Sequence, residues 1–594
     1  MIKETLNRDK KENLPNRLIN NGNILDNDTD IANAFNNYFI NIGPSLAENI
    51  DSNHNYTDYF TEPSDKLFRF ETITEATTMS IINRLKNKDS SGLDGISNNM
   101  IKSIKSELVV PLTLIINQMI TTGIFPQKLK ISKVTPIYKA NNKDHLSNYR
   151  PISLLSSISK IFEYVIFDQV SNYFLENELL TPEQYGFRPG HSTELAALNL
   201  VDKLTYMMDK GKIPINIYLD LSKAFDTLNH NILLNKLKHY GIKNIDNQLI
   251  CSYLKNRSQI VEFNKKLSEP LIMKTGVPQG SVLGPLLFSI YIHDLPSCSN
   301  LFKLIMYADD TTLICNIDNV ANVELVLNNE LIKITNWLAA NQLSLNVSKT
   351  KVMVFHFPNK KVTYPNLALN NIDIQRVDNF NFLGLRINHD LKWGIHKKHI
   401  TGKLARTTGI LYRLKHQYPK SALQTLYNSL ILPHLTYCIL SWGSDVVCIN
   451  KLQKRALRTI SHSKYRAHSE PICKSLNLLK VQDIYHLSIL KFYSKLINNG
   501  LPHYFDDFTP MFSVGNSQYN LRNPCRQIPK IKHEFPKQSL RYKLIITLND
   551  TTSEVIRLAT EYSLKKYSFL IKSNLISKYQ HTCNIANYFV CRER

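Results

Sequence analysis

Asp220, Asp309 and Asp310 are the residues whose type and spacing point to chemistry. Asp309 and Asp310 adjoin in "LIMYADDTTLI" (304–314), between apolar flanks, and Asp220 closes the alternating run "IPINIYLD" (213–220). Adjacent carboxylates repel, and burying an ionised one is costly without a cationic partner. Asp is also a common turn residue that bonds to the local backbone, and for 304–314 taken alone that plainer reading is the stronger one. Set side by side, the two segments would form an acidic cluster suited to divalent cations that prefer oxygen, above all Mg2+. Two such ions about 3.5–4 Å apart are the arrangement used for in-line phosphoryl transfer.

The elements that must position these acids can be read locally. Phe302, Leu304, Met306 and Ala308 alternate with Lys303, Ile305, Tyr307 and Asp309, and "TTLIC" resumes an apolar run, so a β-hairpin with carboxylates at its turn is expected. In 213–222, Ile213, Ile215, Ile217, Leu219 and Leu221 form one face of a strand, read as core, with Asp220 on the opposite face. "DTLNHNILLNKLKHYG" (226–241) predicts one amphipathic helix stopped by Gly241. "TGVPQGSVLGPLLFSIYIHDL" (275–295) predicts a glycine-punctuated loop, Gly276 to Gly280, entering a helix capped by Ser281. "DIANAFNNYFINIGPSLAENI" (30–50) has apolar residues at helical spacing and is expected to break at Gly43-Pro44.

The 594 residues suffice for several domains, and 43% hydrophobic with 20% charged residues excludes a disordered chain. A net charge of +23, spread along the chain, suggests a polyanionic partner, most simply nucleic acid; the alternative is a generally basic protein. Nine cysteines without C-x-x-C pairs or zinc-finger spacing exclude a disulfide framework. The terminal Cys583, Cys591 and His581 read as stray residues. The polar start is no signal peptide, and no apolar stretch is long enough for a bilayer, so an intracellular, non-membrane protein is expected.

Taken together and in order, "KVTPIYK" (133–139), "NYRPISLLSSISKIFE" (148–163), "QYGFRPGHST" (184–193), "IYLDLSKAFDTLNH" (217–230), "GVPQGSVLGPLLFSIYIHDL" (276–295), "YADDTTL" (307–313), "WLAANQLSLNVSKTKVM" (337–353) and "NFLGLRI" (381–387) resemble the reverse transcriptases of non-LTR retrotransposons, particularly jockey-like elements. The resemblance covers roughly 30–490. It implies an α+β right-hand polymerase with fingers, a palm built on an antiparallel sheet and a helical thumb. Asp220, Asp309 and Asp310 would be its catalytic carboxylates and metal ligands, holding two Mg2+ ions, with Mn2+ as a substitute. One ion would activate the primer 3′-hydroxyl and the other would steady the triphosphate.

By the same resemblance Phe225 occupies the steric-gate position that selects deoxynucleotides; a packed core aromatic is the alternative. Gln279 and Gly280 would lie along the incoming nucleotide, and Arg150 and Lys139 would pair with triphosphate oxygens. Lys349, in "N-x-x-K-T", would donate a proton to pyrophosphate, or be a solvated lysine. "NFLGLRI" would be the hairpin that grips the primer. In "INKLQKRALRTI" (449–460), Lys451, Lys454, Arg455 and Arg458 fall at i, i+3, i+4 and i+7. Such a stripe is commonly a solvated face; with the resemblance it reads as contact to a template–primer backbone.

The expected organisation is a lead-in and linker over 1–65, fingers and palm over 66–400, thumb over 401–500 and an unassigned region over 501–594. Expected partners are an RNA template, a DNA primer and deoxynucleoside triphosphates, with no membrane. Jockey-like elements usually encode an endonuclease upstream of the polymerase; no residues of one are evident here, so the expectation is either a truncated element copy or a separately encoded endonuclease that makes the nick. The implied life cycle places the protein in the cytoplasm for RNA–protein assembly and in the nucleus for integration. The rivals are a catalytically silent RNA-binding scaffold or fossil element copy, and an RNA-copying RNA polymerase, against which a bulky Phe225 argues.

Overall fold

The structure is a computed structural model that describes residues 17–579, apart from 21–22, 49, 51–53, 140, 318–321, 359, 361, 363, 513–525, 527, 532 and 534. Most of the polar lead-in, and Cys583, Cys591 and His581, lie outside the described residues.

Helix α1 (Asp28–Glu48) places Ile31, Phe35 and Phe39 one turn apart on a single face. They pack with Tyr149, Val134, Val261 and Phe263 on a sheet of β1 (Ile131–Tyr138), β2 (Tyr149–Leu155) and β4 (Ser258–Phe263), in the order β2-β1-β4. The expected break at Gly43-Pro44 does not occur; α1 runs through both residues. Pro44 costs the helix one hydrogen bond. Gly43 compensates by tertiary contact, since its bare backbone lies against the carbonyl of Asp226, where a Cβ would overlap it.

The second sheet is built on β3 (Ile213–Leu219), flanked by hairpin β5 (Lys303–Tyr307)–β6 (Asp310–Ile317) on one side and β7 (Lys351–Val354) on the other, with β8 (Gln375–Arg376) at the edge. All its pairings are antiparallel except β7 with β8. Ile215, Ile217, Leu219, Leu304, Met306, Leu313 and Val352 face one core, shared with Phe162, Leu233, Leu287 and Trp337. The opposite face is covered too, which corrects the expectation of a one-sided strand. Tyr218, Ile305, Ile314 and Met353 pack on Leu195 and Leu198 of α2 (Thr193–Asp209) and on Leu404 and Trp442 beyond it. Asn216 is fully buried there, and the Tyr218 ring stacks 3.8 Å from that of Phe380.

The stretch after Asp220 forms two helices rather than one, α3 (Ala224–Thr227) and α4 (His230–His239). Asn229 divides them, its side chain accepting from the N–H groups of Asn231 and Ile232 at 2.8 and 3.1 Å. Gly241 follows with φ 95°. Helix α5 (Gly284–Tyr291) begins three residues after Ser281, whose hydroxyl accepts from the Gly284 N–H at 3.0 Å.

Strands β9 (Asn379–Phe382) and β10 (Leu385–Asn388) form the hairpin of "NFLGLRI", turning at Leu383 and Gly384, both at positive φ. A helical layer follows, with α6 (Gly394–Leu414), α7 (Val447–Ile460), α8 (Val481–Ile497), α9 (Leu540–Asp550) and α10 (Leu564–Ser577). Its apolar residues, among them Leu404, Leu457, Leu490, Leu544 and Tyr567, are continuous with the core behind α2. Among the described residues no helix is long and apolar enough to cross a membrane.

Candidate active site

Asp220 stands one residue beyond β3, and Asp310 opens β6 beside it, because Thr311 pairs with Leu219. Asp309 and Ala308 form the turn between Tyr307 and Asp310, with Ala308 at φ 55°. That unfavourable turn is held from outside. Gln184 accepts through Oε1 from the N–H groups of Ala308 (3.0 Å) and Gly186 (2.7 Å), and Tyr185 donates its N–H to the Met306 carbonyl at 2.8 Å. A Cβ at Gly186 would overlap the Ala308 nitrogen, so "QYG" is the clamp that fixes the acidic turn. Asp220 is pinned in turn, its carbonyl accepting from the Asn346 N–H at 2.8 Å.

The three acids share one field. Burial raises the Asp309 carboxyl, with Asp220 adding to it and Arg150 and Lys139 opposing. Burial, then Asp309 and Asp220, push Asp310 up to about 6. Cations surround them. Lys139, just beyond β1, is lowered by burial and by Arg150 and Lys349, against the pull of Asp220 and Asp309. Arg150 pairs with Ile137 across β1–β2. Lys349 Nζ lies 3.4 Å from Asp220 Oδ2, a solvent-exposed pair of small energetic weight.

The structure thus brings Asp220, Asp309, Asp310, Lys139, Arg150 and Lys349 together. Phe225, Gln279 and Gly280 form the adjoining wall. The Phe225 ring lies 4.7 Å from Phe288 and meets Phe187 edge-on at 6.5 Å. The Phe225 carbonyl accepts from the Val277 N–H at 2.9 Å, and Ser153 donates its N–H to the Gln279 carbonyl at 2.9 Å. Gly280, at φ 134°, presses against the Ser153 carbonyl, where a side chain would overlap.

Lys451, Lys454, Arg455 and Arg458 sit elsewhere, on α7, which packs along α6. Lys451 and Arg455 are exposed and Lys454 half-buried, while Arg458 donates through Nε to the Ala467 carbonyl at 2.7 Å.

Sequence reasoning missed several residues. Lys223, at φ 51°, joins the cation group: burial lowers it, with Asp226 opposing and Lys139, Arg150 and Lys349 adding. Its signal was its place three residues after Asp220. Asp226 and Gln184 carried none, because their partners are remote in sequence. A further basic group gathers at the hairpin and α6, where His399 is lowered by burial and by Arg386, Lys403, His434 and Arg406. "HKKHITGKLAR" (396–406) is its trace in the sequence.

A cation of charge two would relieve the mutual repulsion of the three aspartates, and oxygen donors suit Mg2+. Among the described residues, however, no three His, Cys, Asp or Glu side chains stand in a closed ligand set, so the fit lies in charge and donor type.

The chain is similar to known proteins over the region that carries this site. Residues 137–387 match the family "Reverse transcriptase (RNA-dependent DNA polymerase)". The chain is 29% identical over 441 residues, 70% of its length, to the "Probable RNA-directed DNA polymerase from transposon BS" of Drosophila melanogaster, covering 47% of that protein. It is 25% identical over 442 residues, 72% of its length, to the "RNA-directed DNA polymerase from mobile element jockey" of the same organism, covering 48% of it. A telomerase of Candida albicans, solved with the TWJ fragment of telomeric RNA, aligns with 64% of this chain and 69% of that one, at 11% identity and a TM-score of 0.34. The chain spans about half the length of the curated relatives it matches. The family match and the antiparallel sheet bearing the acids at its strand ends make this an α+β right-hand polymerase fold. Residues 137–387 are therefore a reverse transcriptase domain, and over about 70% of its length the chain is similar to RNA-directed DNA polymerases of mobile elements, jockey among them.

Proposed function

We propose that this chain copies RNA into DNA by extending a primer 3′-end with deoxynucleoside triphosphates, as the polymerase of a non-LTR mobile element. The observation that carries the reading is the set of three carboxylates at neighbouring strand ends, faced by Lys139, Arg150 and Lys349. Asp220, Asp309 and Asp310 would hold two Mg2+ ions, which when bound would lower the cost of the primer hydroxyl's attack and of the pyrophosphate's departure. Arg150 and Lys139 pair with triphosphate oxygens. The Phe225 ring, backed by Phe288, bounds the sugar side of the pocket and excludes a ribose 2′-hydroxyl. Lys349, 3.4 Å from Asp220, would give a proton to the leaving pyrophosphate. In this reading 66–400 are fingers and palm, and the helices of 401–500 are the thumb that carries the basic stripe of α7.

Primer extension on an RNA template, with deoxynucleotides and Mg2+, tests the proposal beside Asp309→Ala. The parent is expected to extend, and the variant to lose at least about a thousandfold in rate. A folded, RNA-binding parent that does not extend rejects the polymerase reading in favour of a scaffold.

A further inference from the structure

A cavity of about 540 Å³ opens between α2, α8 and α10 and shares no lining residue with the carboxylate site. Its volume lies in the range of small-molecule sites. Leu195 and Leu198 of α2 and Phe492 of α8, all buried, give it an apolar wall. Lys491 and Lys495 of α8 and Lys565 of α10 line the same space.

These lysines are held at a cost. Lys491 and Lys495 are four apart on one helix face, where like charges repel. Burial lowers the Lys491 ammonium, Lys495 and Lys572 lower it further, and no carboxylate acts against them. Among the described residues none of the three lining lysines forms an ion pair or a hydrogen bond. Glu194 is the one carboxylate of the lining, and its Oε1 accepts from the Cys438 N–H at 3.3 Å. Three cations against one anion leave an excess of two positive charges. A phosphate monoester, with a charge of about −2 at neutral pH, offsets that excess, whereas the single charge of a phosphodiester does not.

Two hydroxyls of the lining narrow what the phosphate carries. Thr436 donates to the Leu432 carbonyl at 3.1 Å and Ser488 to the Ile484 carbonyl at 2.8 Å. Their oxygens keep the capacity to accept. An acyl chain has no donor for them. A nucleoside has its sugar hydroxyls and base N–H groups, and its flat ring suits an apolar wall.

We propose that this cavity is a second ligand site, which takes a nucleoside phosphate monoester with its phosphate on Lys491, Lys495 and Lys565 and its base along Leu195, Leu198 and Phe492. A free nucleotide and the 5′-phosphorylated end of a strand share this chemistry. The site stands apart from the polymerase reading and needs no metal.

Equilibrium binding of adenosine 5′-monophosphate to the full chain tests the proposal. EDTA keeps metal from the aspartates, and Asp309→Ala controls for binding there. The parent and Asp309→Ala are expected to bind the monophosphate saturably and alike, and adenosine at least about tenfold more weakly. Lys495 and Lys565 are exposed, so replacing them does not endanger the fold. Lys495→Ala and Lys565→Ala are each expected to weaken the monophosphate about tenfold and adenosine by less than about twofold. Oligouridylate with a 5′-phosphate or a 5′-hydroxyl, added as competitor, separates the two sources. Displacement by the phosphorylated form alone assigns the site to a strand end, and displacement by neither assigns it to a free nucleotide. Displacement by both alike marks a phosphodiester site and overturns the proposal. So do the absence of saturable binding, binding indifferent to the lysine replacements, and binding of dodecyl phosphate but not of the nucleotide. Because the readout is binding, a chain that fails to extend a primer rejects the polymerase reading without touching this one.

Discussion

Asp226, which follows Phe225 and accepts through Oδ1 from Gln279 Nε2 at 2.8 Å, makes a statement about stability. Its carboxyl is held at about 6, above the ordinary 3.8, so the folded chain binds this proton more tightly than the unfolded chain. The cost of its charge is complete above pH 6 and is relieved as pH falls from 6 toward 4. Asp226→Asn, which removes the charge and keeps the shape, is expected to raise Tm by a few degrees at about pH 7.5, with the advantage fading below pH 5. Thermal unfolding of both chains across that range decides it; equal Tm values at pH 7.5 reject the account. The contrast with Asp309 and Asp310 shows what a sequence reveals at this scale. Those two stand out because alternation puts them at a strand end, a purely local pattern. Asp226 looks like any acid in the first turn of a helix, and its meaning comes from a glutamine 53 residues away.

Among the elements, α1 shows where local rules give way. Gly43 and Pro44 are helix breakers by propensity, so the sequence alone predicts a break there. The helix continues because Ile31, Phe35 and Phe39 are buried against the β1–β2–β4 sheet, each contributing on the order of 1.5–3 kcal/mol. Gly43 is there for contact rather than for flexibility. Gly43→Ala is expected to lift α1 from α3, costing about 1–3 kcal/mol and loosening the pocket wall. A lower Tm together with a raised KM for nucleotide would bear this out, whereas an unchanged Tm would mean that α1 yields freely. The second face of β3 was missed for a related reason. Asn216 and Tyr218 look like solvent-facing residues, and only the covering layer, with Phe380 against Tyr218, makes them interior.

Across the whole molecule, α2 ties the sheet to the C-terminal helices. Asp202 of α2 is buried and accepts from Arg541 of α9 at 2.8 Å and from the Tyr504 hydroxyl at 2.6 Å. These partners lie 339 and 302 residues away, which is why 501–579 gave no usable signal in the sequence. Arg541→Ala leaves the Asp202 carboxylate buried beside a single hydroxyl. It is expected to cost about 3 kcal/mol and to speed proteolysis within α9 and α10. Proteolysis at the parental rate would show that the pair is dispensable.

The strand order has a consequence in time. β3 stands at the centre of its sheet, yet one of its neighbours, β7, is translated more than 130 residues after it. At about 5–20 residues per second the ribosome needs roughly 7–26 s to cover that interval. For that period the nascent chain presents Ile215 and Ile217 along an unpaired backbone edge, open to a neighbouring nascent chain on the same polysome.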